Sequence, residues 1–282
     1  MAEIVSPKDY YPHKVSNVQS YLAAVSEWHT HNKTREMSYL SGVWFRGSGK
    51  AYPVPLRPGV YRDDFGKQAQ QFHNSNDEEN RRHMERFMLG DFRTSGAMFL
   101  NHTSVVETYF IAQHHKMATR LLDWTTNPLA GLFFAVENEN EHDKDGEVFI
   151  MEAKSLLPPV PGGATGNRFL WNVVGMRHPY VTDAIGDSFW LPADRPPRPP
   201  LIIPVRPDHM PGRIGQQSSC FTLHMHNSKP TENPTLVKIK IPAVSKRDIL
   251  DELHQMNINQ FTIYNDLDHL SKDIKRAFGL DA

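Results

Sequence analysis

The sequence predicts a mixed α+β fold, and three observations lead to it. Apolar residues recur at helical spacing behind polar caps in several separate stretches. Between them lie short alternating or wholly apolar runs bounded by glycine and acidic turns, which read as strands. One long segment is too rich in proline to continue either pattern. Residues 1–40 form an N-terminal docking region in this reading, and 41–282 form a single domain.

Near the N-terminus, Ser16 or Asn17 caps a helix whose stripe is Val18, Tyr21, Leu22, Val25 and Trp28, so this region packs onto the body. Val43, Trp44 and Phe45 then read as a strand ending at Arg46 and opening into a Gly-Ser-Gly turn. An arginine at a strand tip beside glycines suits an anionic ligand, and a salt-bridged strand-end arginine is the equal alternative. Tyr52 to Arg62, with three prolines, is an extended connector whose Arg57 and Arg62 are expected in solvent, with assistance to an anionic ligand as the alternative. From Asp77 a charged helix follows, with Met84, Phe87 and Met88 inward and Gly90 as a possible break. Ser104 and Glu107 stand in capping-box register and begin a helix whose end delivers Gln113, His114 and His115.

The stretch from Gln113 to Glu137, QHHKMATRLLDWTTNPLAGLFFAVE, is the densest in chemically useful residues. Asn127 caps a helix with Pro128 at its first position and Leu129, Leu132, Phe133 and Val136 at helical spacing. Arg120 and Asp123 lie just before it, a charged pair near a helix N-terminus that favours anions. The pair suggests a site, and a buried structural ion pair is the slightly favoured alternative.

After a DKDG turn, Val148 to Met151 reads as a strand. Leu157 to Gly212 holds more than half of the 21 prolines and reads as a long excursion, with RFLWN at Arg168 to Asn172 and FWL at Phe189 to Leu191 anchoring it. Arg213, Gln216 and Gln217 lie in a turn before a strand from Cys220 to Met225, and Leu236 to Ile241 alternates as a half-exposed strand. Ser245 caps a helix with Ile249, Leu250, Leu253 and Met256, a short strand surrounds Phe261 to Tyr264, and Asp266 caps a last helix with Leu267, Leu270, Ile274 and Phe278.

Charge and composition exclude several classes. A net charge of −1 leaves no footprint for nonspecific nucleic-acid or membrane-surface binding. No run of about 18 apolar residues and no signal peptide is readable, and the single Cys220 allows no internal disulfide, so a reducing cytosol is expected. His29 with His31, and His224 with His226, have one-face strand spacing, yet no set of recognised metal-ligand spacing accompanies them and no metal is expected. Cys220, inside an alternating strand, reads as a packed residue and not a nucleophile. No phosphate-loop or dinucleotide glycine fingerprint is present.

Taken together, WFRG at Trp44 to Gly47, LRPGVYR at Leu56 to Arg62, the TRLLDWT and NPL blocks, RIGQQSSCF at Arg213 to Phe221 and the terminal YNDLDHLSKDIK resemble the FRG-domain family. The sequence departs from the family pattern at Lys116, where glycine is usual, and at Asn265 and His269. Members of this family occur in bacterial and phage-defence settings, so the resemblance implies an effector or toxin role.

The order of parts also resembles an ADP-ribosyltransferase, which implies a mainly antiparallel sheet flanked by helices and NAD as substrate, with no metal. On that resemblance Arg46 contacts the NAD diphosphate or ribose, Gly47 holds the nicotinamide amide, and Thr119 or Thr125 takes the Ser/Thr position. Gln216 or Gln217 occupies the place of the catalytic glutamate. Glutamine can hydrogen-bond a ribose hydroxyl but carries no charge for an oxocarbenium ion, which leaves Asp123 as the nearest carboxylate. Arg46, Arg120, His114 and Asp123 are then available to hold phosphates and place charge, and Trp124 or Tyr109 to stack on nicotinamide, with a core position the favoured alternative for Trp124, while ADP-ribose passes to a macromolecular target. The alternatives are a phosphodiesterase or nuclease using His114 or His115 on another phosphate-bearing ligand, and a nucleotide-sensing module without turnover.

Overall fold

A computed structural model describes residues 4–5, 14–32, 42–51, 56–72, 75–100, 103–156, 173–185, 202–207, 218–225, 231–232 and 236–280. The tryptophan- and phenylalanine-bearing anchors of the proline-rich excursion, its RPPRPP run, and Arg213, Gln216 and Gln217 lie outside the described residues.

The fold is α+β around a seven-stranded, mostly antiparallel sheet. In chain order its strands are β2 (Val43–Ser48), β3 (Leu121–Thr125), β4 (Gly146–Glu152), β5 (Val174–Gly175), β6 (Ile202–Arg206), β7 (Ser219–His224) and β9 (Val237–Ile241), arranged β5-β6-β7-β3-β2-β4-β9. All neighbours are antiparallel except β5 with β6. A separate two-residue parallel pair joins β1 (Ile4–Val5) to β8 (Thr231–Glu232). Long ladders hold the two halves: β2 pairs with β4 at six positions and β3 with β7 at five. Between the halves, β2 meets β3 through one register pair only, Phe45 with Thr125. The sheet therefore opens at its middle.

Helix α1 (Val18–His31) forms because Asn17 and Ser20 make a reciprocal capping box, and it buries Val18, Tyr21, Ala24, Val25 and Trp28. Leu22, expected on that stripe, is exposed. The Tyr21 hydroxyl donates to the Pro128 carbonyl at 3.0 Å, tying α1 to the central helix. Helix α2 (Asp63–Phe72) packs on α3 (Asp77–Ser95), where Arg81 donates to the Val60 and Arg62 carbonyls at 2.7 and 2.9 Å. Contrary to the sequence expectation, α3 runs through Gly90, because nothing crowds that position and one interior glycine costs only about 1 kcal/mol. Its Phe87 is exposed, while Asn80, Arg81, Glu85 and Leu89 are the buried residues. After the short α4 (Ala97–Leu100) come α5 (Val105–His114), with the expected Ser104–Glu107 capping box, and α6 (Pro128–Val136), capped by Asn127.

Helix α6 is apolar all round and buried along most of its length. It lies against β2 with a glycine on each element at the contact: a Cβ on Gly131 would stand 2.8 Å from the Phe45 Cβ, and one on Gly47 2.7 Å from Ala135 N. On this face Phe45, Val148, Ile150 and Ile239 join α1 and α6 in one core cluster. The opposite face buries Trp44, Leu122, Trp124, Phe149, Met151 and Cys220. Cys220 is a packed residue, as expected, with burial pushing its thiol up to about 12.

Two further expectations are corrected. The proline-rich excursion contributes β6, a buried strand beside β7, and α7 (Pro179–Ile185). Proline is tolerated there because β5 pairs only with Val205 and Arg206, so the outer side of β6 has no ladder partner at Pro204 among the described residues. Residues near Phe261 are helical, not extended. After α8 (Lys246–Gln255), Asn259 and Thr262 form a capping box that starts α9 (Gln260–Tyr264), and Asp266 caps α10 (Leu267–Ala277) as expected. Leu267, Ile274 and Phe278, expected as the apolar stripe of α10, are exposed. Among the described residues, no helix is long and apolar enough to cross a membrane.

Candidate functional site

A cavity of about 420 Å³ opens where β2 and β3 part. Arg46 bridges the gap. Its Nη1 donates to the Asp123 carbonyl at 2.8 Å and stands 3.9 Å from Asp123 Oδ2, so its guanidinium is held across the two half-sheets. Arg46 sits within β2 and not at its tip, because β2 extends to Ser48 against β4. Its side chain is 16% exposed, while that of Asp123 is 57% exposed and open to the cavity.

Asp123 is positioned from α5. Gln113 Nε2 donates to Asp123 Oδ2 at 2.8 Å, and Gln113 Oε1 accepts from the Thr119 hydroxyl at 2.5 Å. Thr119 in turn accepts the Leu121 N–H at 3.0 Å. Thr119 is fully buried and acts through Gln113, a residue sequence reasoning placed in the stretch but gave no role. Thr125 lines the cavity, and its Oγ1 accepts the Asn127 N–H at 3.0 Å.

The expected pairing of Arg120 with Asp123 is overturned. Side chains alternate along β3, so residues three apart face opposite sides of the sheet. Arg120, just before β3, is buried with Glu85: its Nε lies 3.0 Å from Glu85 Oε2, its Nη2 donates to the Ala184 carbonyl at 2.9 Å, and the Tyr109 hydroxyl donates to Glu85. Burial lowers the Arg120 pKa, but Glu85, Tyr109 and Tyr61 together outweigh it and hold the guanidinium charged. Arg120 and Tyr109 are therefore scaffold, not ligand contacts. Trp124 also belongs to the interior, its Nε1 donating to Thr222 at 3.1 Å, and Thr222 meets the ring of His224 at 2.9 Å. Among the described residues no group of three His, Cys, Asp or Glu side chains could hold a metal ion.

Helix polarity also differs from expectation. The amides at the α6 N-terminus are taken by Asn127, which accepts from Leu129 and Ala130. The cavity lies at the other end, on Phe134, Glu137 and Asn138, where the helix dipole favours positive charge. Positive charge on the protein comes instead from Arg46 and Lys116, with His114 beside them in the lining. His115 is the helix cap and packs on Phe92, so of the two histidines His114 is the one at the cavity. Lys116 has φ of 66°, a left-handed position that ends α5, with Met117 N–H reaching the Ala112 carbonyl at 3.0 Å. That geometry explains why glycine is the easier residue there. Gly47 makes the nearest approach to α6: a Cβ there would stand 2.7 Å from Ala135 N.

Glu137 is the functional candidate sequence reasoning missed, although it closes the stretch. Burial pushes its carboxyl up to about 7, against the lowering pull of the Tyr264 hydrogen bond and of Lys116 and Lys272. Below the ordinary carboxylate range both folded and unfolded chains hold this proton. Between that range and about pH 7 only the folded protein does, so stability is full at acid pH and declines as pH rises to about 7. The loss is on the order of 3 kcal/mol. Glu137→Gln removes it: the variant should melt several degrees above the parent at pH 8 and with it at pH 4, as read by calorimetry. Its apolar setting within a polar cavity is a tertiary property, and its place at a helix end is the only signal in the sequence.

No curated protein and no solved structure matches the chain. Residues 41–144 match the FRG domain, and Arg46, Gln113, His114, Asp123 and Glu137 all fall within the matched segment.

Proposed function

We propose that the protein binds NAD in the opening between β2 and β3, cleaves the nicotinamide–ribose bond and passes ADP-ribose to a macromolecular acceptor. The observation that carries this reading is the coexistence, in one cavity, of an arginine anchored across the sheet, a positioned exposed carboxylate and the C-terminal end of a helix. NAD is complementary to that mixture: its diphosphate needs cations, its pyridinium ring and developing oxocarbenium ion need negative charge, and Phe134 and Tyr264 offer rings against which nicotinamide packs. Nicotinamide leaves as a neutral molecule, so cleavage asks for position and charge more than for proton donation to the leaving group. Arg46, with Lys116 and His114, holds the diphosphate; the Asp123 carboxylate stabilises the ribose cation; Thr125 lines the same wall, and Gly47 keeps β2 and α6 close.

The direct test is release of free nicotinamide from NAD. Cleavage of a phosphodiester with NAD intact would favour a phosphodiesterase built on His114, which lines the same cavity beside Lys116. NAD binding without turnover would favour a sensing module. Arg46→Lys should keep the fold and the charge yet weaken NAD about a hundredfold in calorimetric titration, because lysine cannot make the forked contact worth about 2–3 kcal/mol. Asp123→Asn should slow nicotinamide release about a hundredfold and leave the melting temperature unchanged, since the side chain is exposed and Gln113 can still bond an amide.

A further inference from the structure

We infer that Glu137 is the general base of this site, taking the proton of the acceptor as its oxygen attacks the ribose carbon, and that Tyr264 is its positioning residue. The inference rests on the NAD-cleavage reading and adds to it the group that activates the acceptor.

The geometry points to Glu137 for three reasons. First, it lines the cavity that holds Asp123 and Arg46, and with Asn138 and Tyr264 it also lines a second cavity of about 490 Å³. The carboxyl therefore stands where two chambers meet, one for the dinucleotide and one through which an acceptor enters. Second, it is held for its task. The Tyr264 hydroxyl donates to Glu137 Oε1 and Oε2 at 2.7 and 2.9 Å. The Tyr264 ring stacks on His269, 4.1 Å between centroids and 18° between planes, and His269 Nδ1 lies 2.8 Å from both oxygens of Asp266, the cap of α10. Asn265, at φ 50°, makes the left-handed turn that sets α9 against α10. Third, Asp123 and Glu137, two of the carboxyls lining the cavity, differ in setting. Asp123 is exposed and accepts from Gln113, whereas Glu137 is half-buried and accepts from Tyr264, and carboxyls in such different settings divide the acid–base work. A carboxyl titrating at about 7 accepts a proton near neutral pH far better than an ordinary glutamate.

The step balances. The bond between the ribose carbon and the pyridinium nitrogen breaks and its electron pair stays on nicotinamide, which leaves neutral. The acceptor oxygen, of water or of a target hydroxyl, forms the new bond and yields its proton to Glu137, which later releases it to solvent. Lys116 at the end of α5, Lys272 on α10 and Tyr264 on α9 are the groups acting on Glu137, with Arg46, His114, Asp123 and Glu141 in the same cavity and His269 and Asp266 behind Tyr264.

Nicotinamide release by the full chain from pH 5 to 9, beside calorimetric titration with NAD, tests the assignment. The parent should gain kcat through about pH 7 and then level off. Glu137→Gln should lose at least about a hundredfold in kcat while keeping its NAD affinity within about twofold, and its pH slope should vanish. Formate should restore part of the rate to Glu137→Ala. Tyr264→Phe, which removes a bond favouring the ionised carboxyl, should lower kcat and move the midpoint upward, a shift that loss of packing alone does not produce. A Glu137→Gln enzyme as fast as the parent overturns the role of Glu137 and leaves NAD cleavage standing. A parent that releases no nicotinamide overturns both.

Discussion

Glu85→Ala is expected to destabilise the protein by about 3–5 kcal/mol and to lower its melting temperature by roughly 10 °C, more than any change at the cavity surface. Glu85 and Arg120 are both buried, and the carboxylate also receives the Tyr109 hydroxyl and the Arg120 backbone N–H. Removing it strands a guanidinium in the interior, where the Ala184 carbonyl still accepts from Nη2 but no carboxylate balances the charge among the described residues. The residue left behind, not the bond lost, carries most of the cost. Glu85→Met combined with Arg120→Met should therefore recover much of the stability, because two apolar chains of similar size remove both charges at once. Thermal unfolding of the single and double variants measures this directly. A single variant that melts with the parent would mean that the pair is not load-carrying within the fold. Asp123→Asn serves as the control, since its carboxylate is exposed.

The second large effect is expected at Gly47. Substitution by alanine would place a Cβ onto the Gly131 carbonyl oxygen, 2.7 Å from Ala135 N and 2.8 Å from the Phe134 Cβ. Two of these three neighbours are α6 backbone, so no rotamer change relieves the clash and α6 must move off β2. Overpacking of this kind costs about 1–3 kcal/mol, and the upper end of that range is expected here. It also displaces Phe134 and Glu137, so nicotinamide release should fall together with the melting temperature. Ser48→Ala, one residue on, should leave both nearly unchanged, because its hydroxyl donates to the nearby Lys50 carbonyl in an exposed turn. If Gly47→Ala melts like the parent, the close seating of α6 on β2 is not what shapes the cavity.

Several features of this protein are written locally in its sequence. The capping boxes at Asn17 and Ser104, the Asn127–Pro128 start of α6 and the Asp266 cap of α10 depend on neighbours within one helical turn, so spacing alone reveals them. Alternation likewise reveals β7 and β9 as strands, but β9 is not half-exposed as expected: Lys238 is buried on its second face, 3.7 Å from the buried Glu147. Arg46 and Asp123 stand out in the sequence because each is a charged side chain set in an apolar strand, and both line the cavity. Their partners do not stand out. Which charge meets which depends on strand faces and on helices distant in sequence, and so Arg120 belongs to Glu85, 35 residues away, while Asp123 belongs to Gln113 and Arg46. The β6 strand hid within a proline-rich segment because tolerance of Pro204 follows from what lies beside it. Glu137 was hidden for the same reason: nothing in the residues next to it says that Tyr264, 127 positions later, will fold over its carboxyl and that burial will raise its pKa. The sequence by itself determined the elements, their caps and the two charges that mark the opening, because these rest on short-range periodicity and backbone chemistry. Only the tertiary structure decided the single-pair junction of β2 with β3, the orientation of α6 and the environment of Glu137, because desolvation and charge pairing are properties of what packs together across the whole chain.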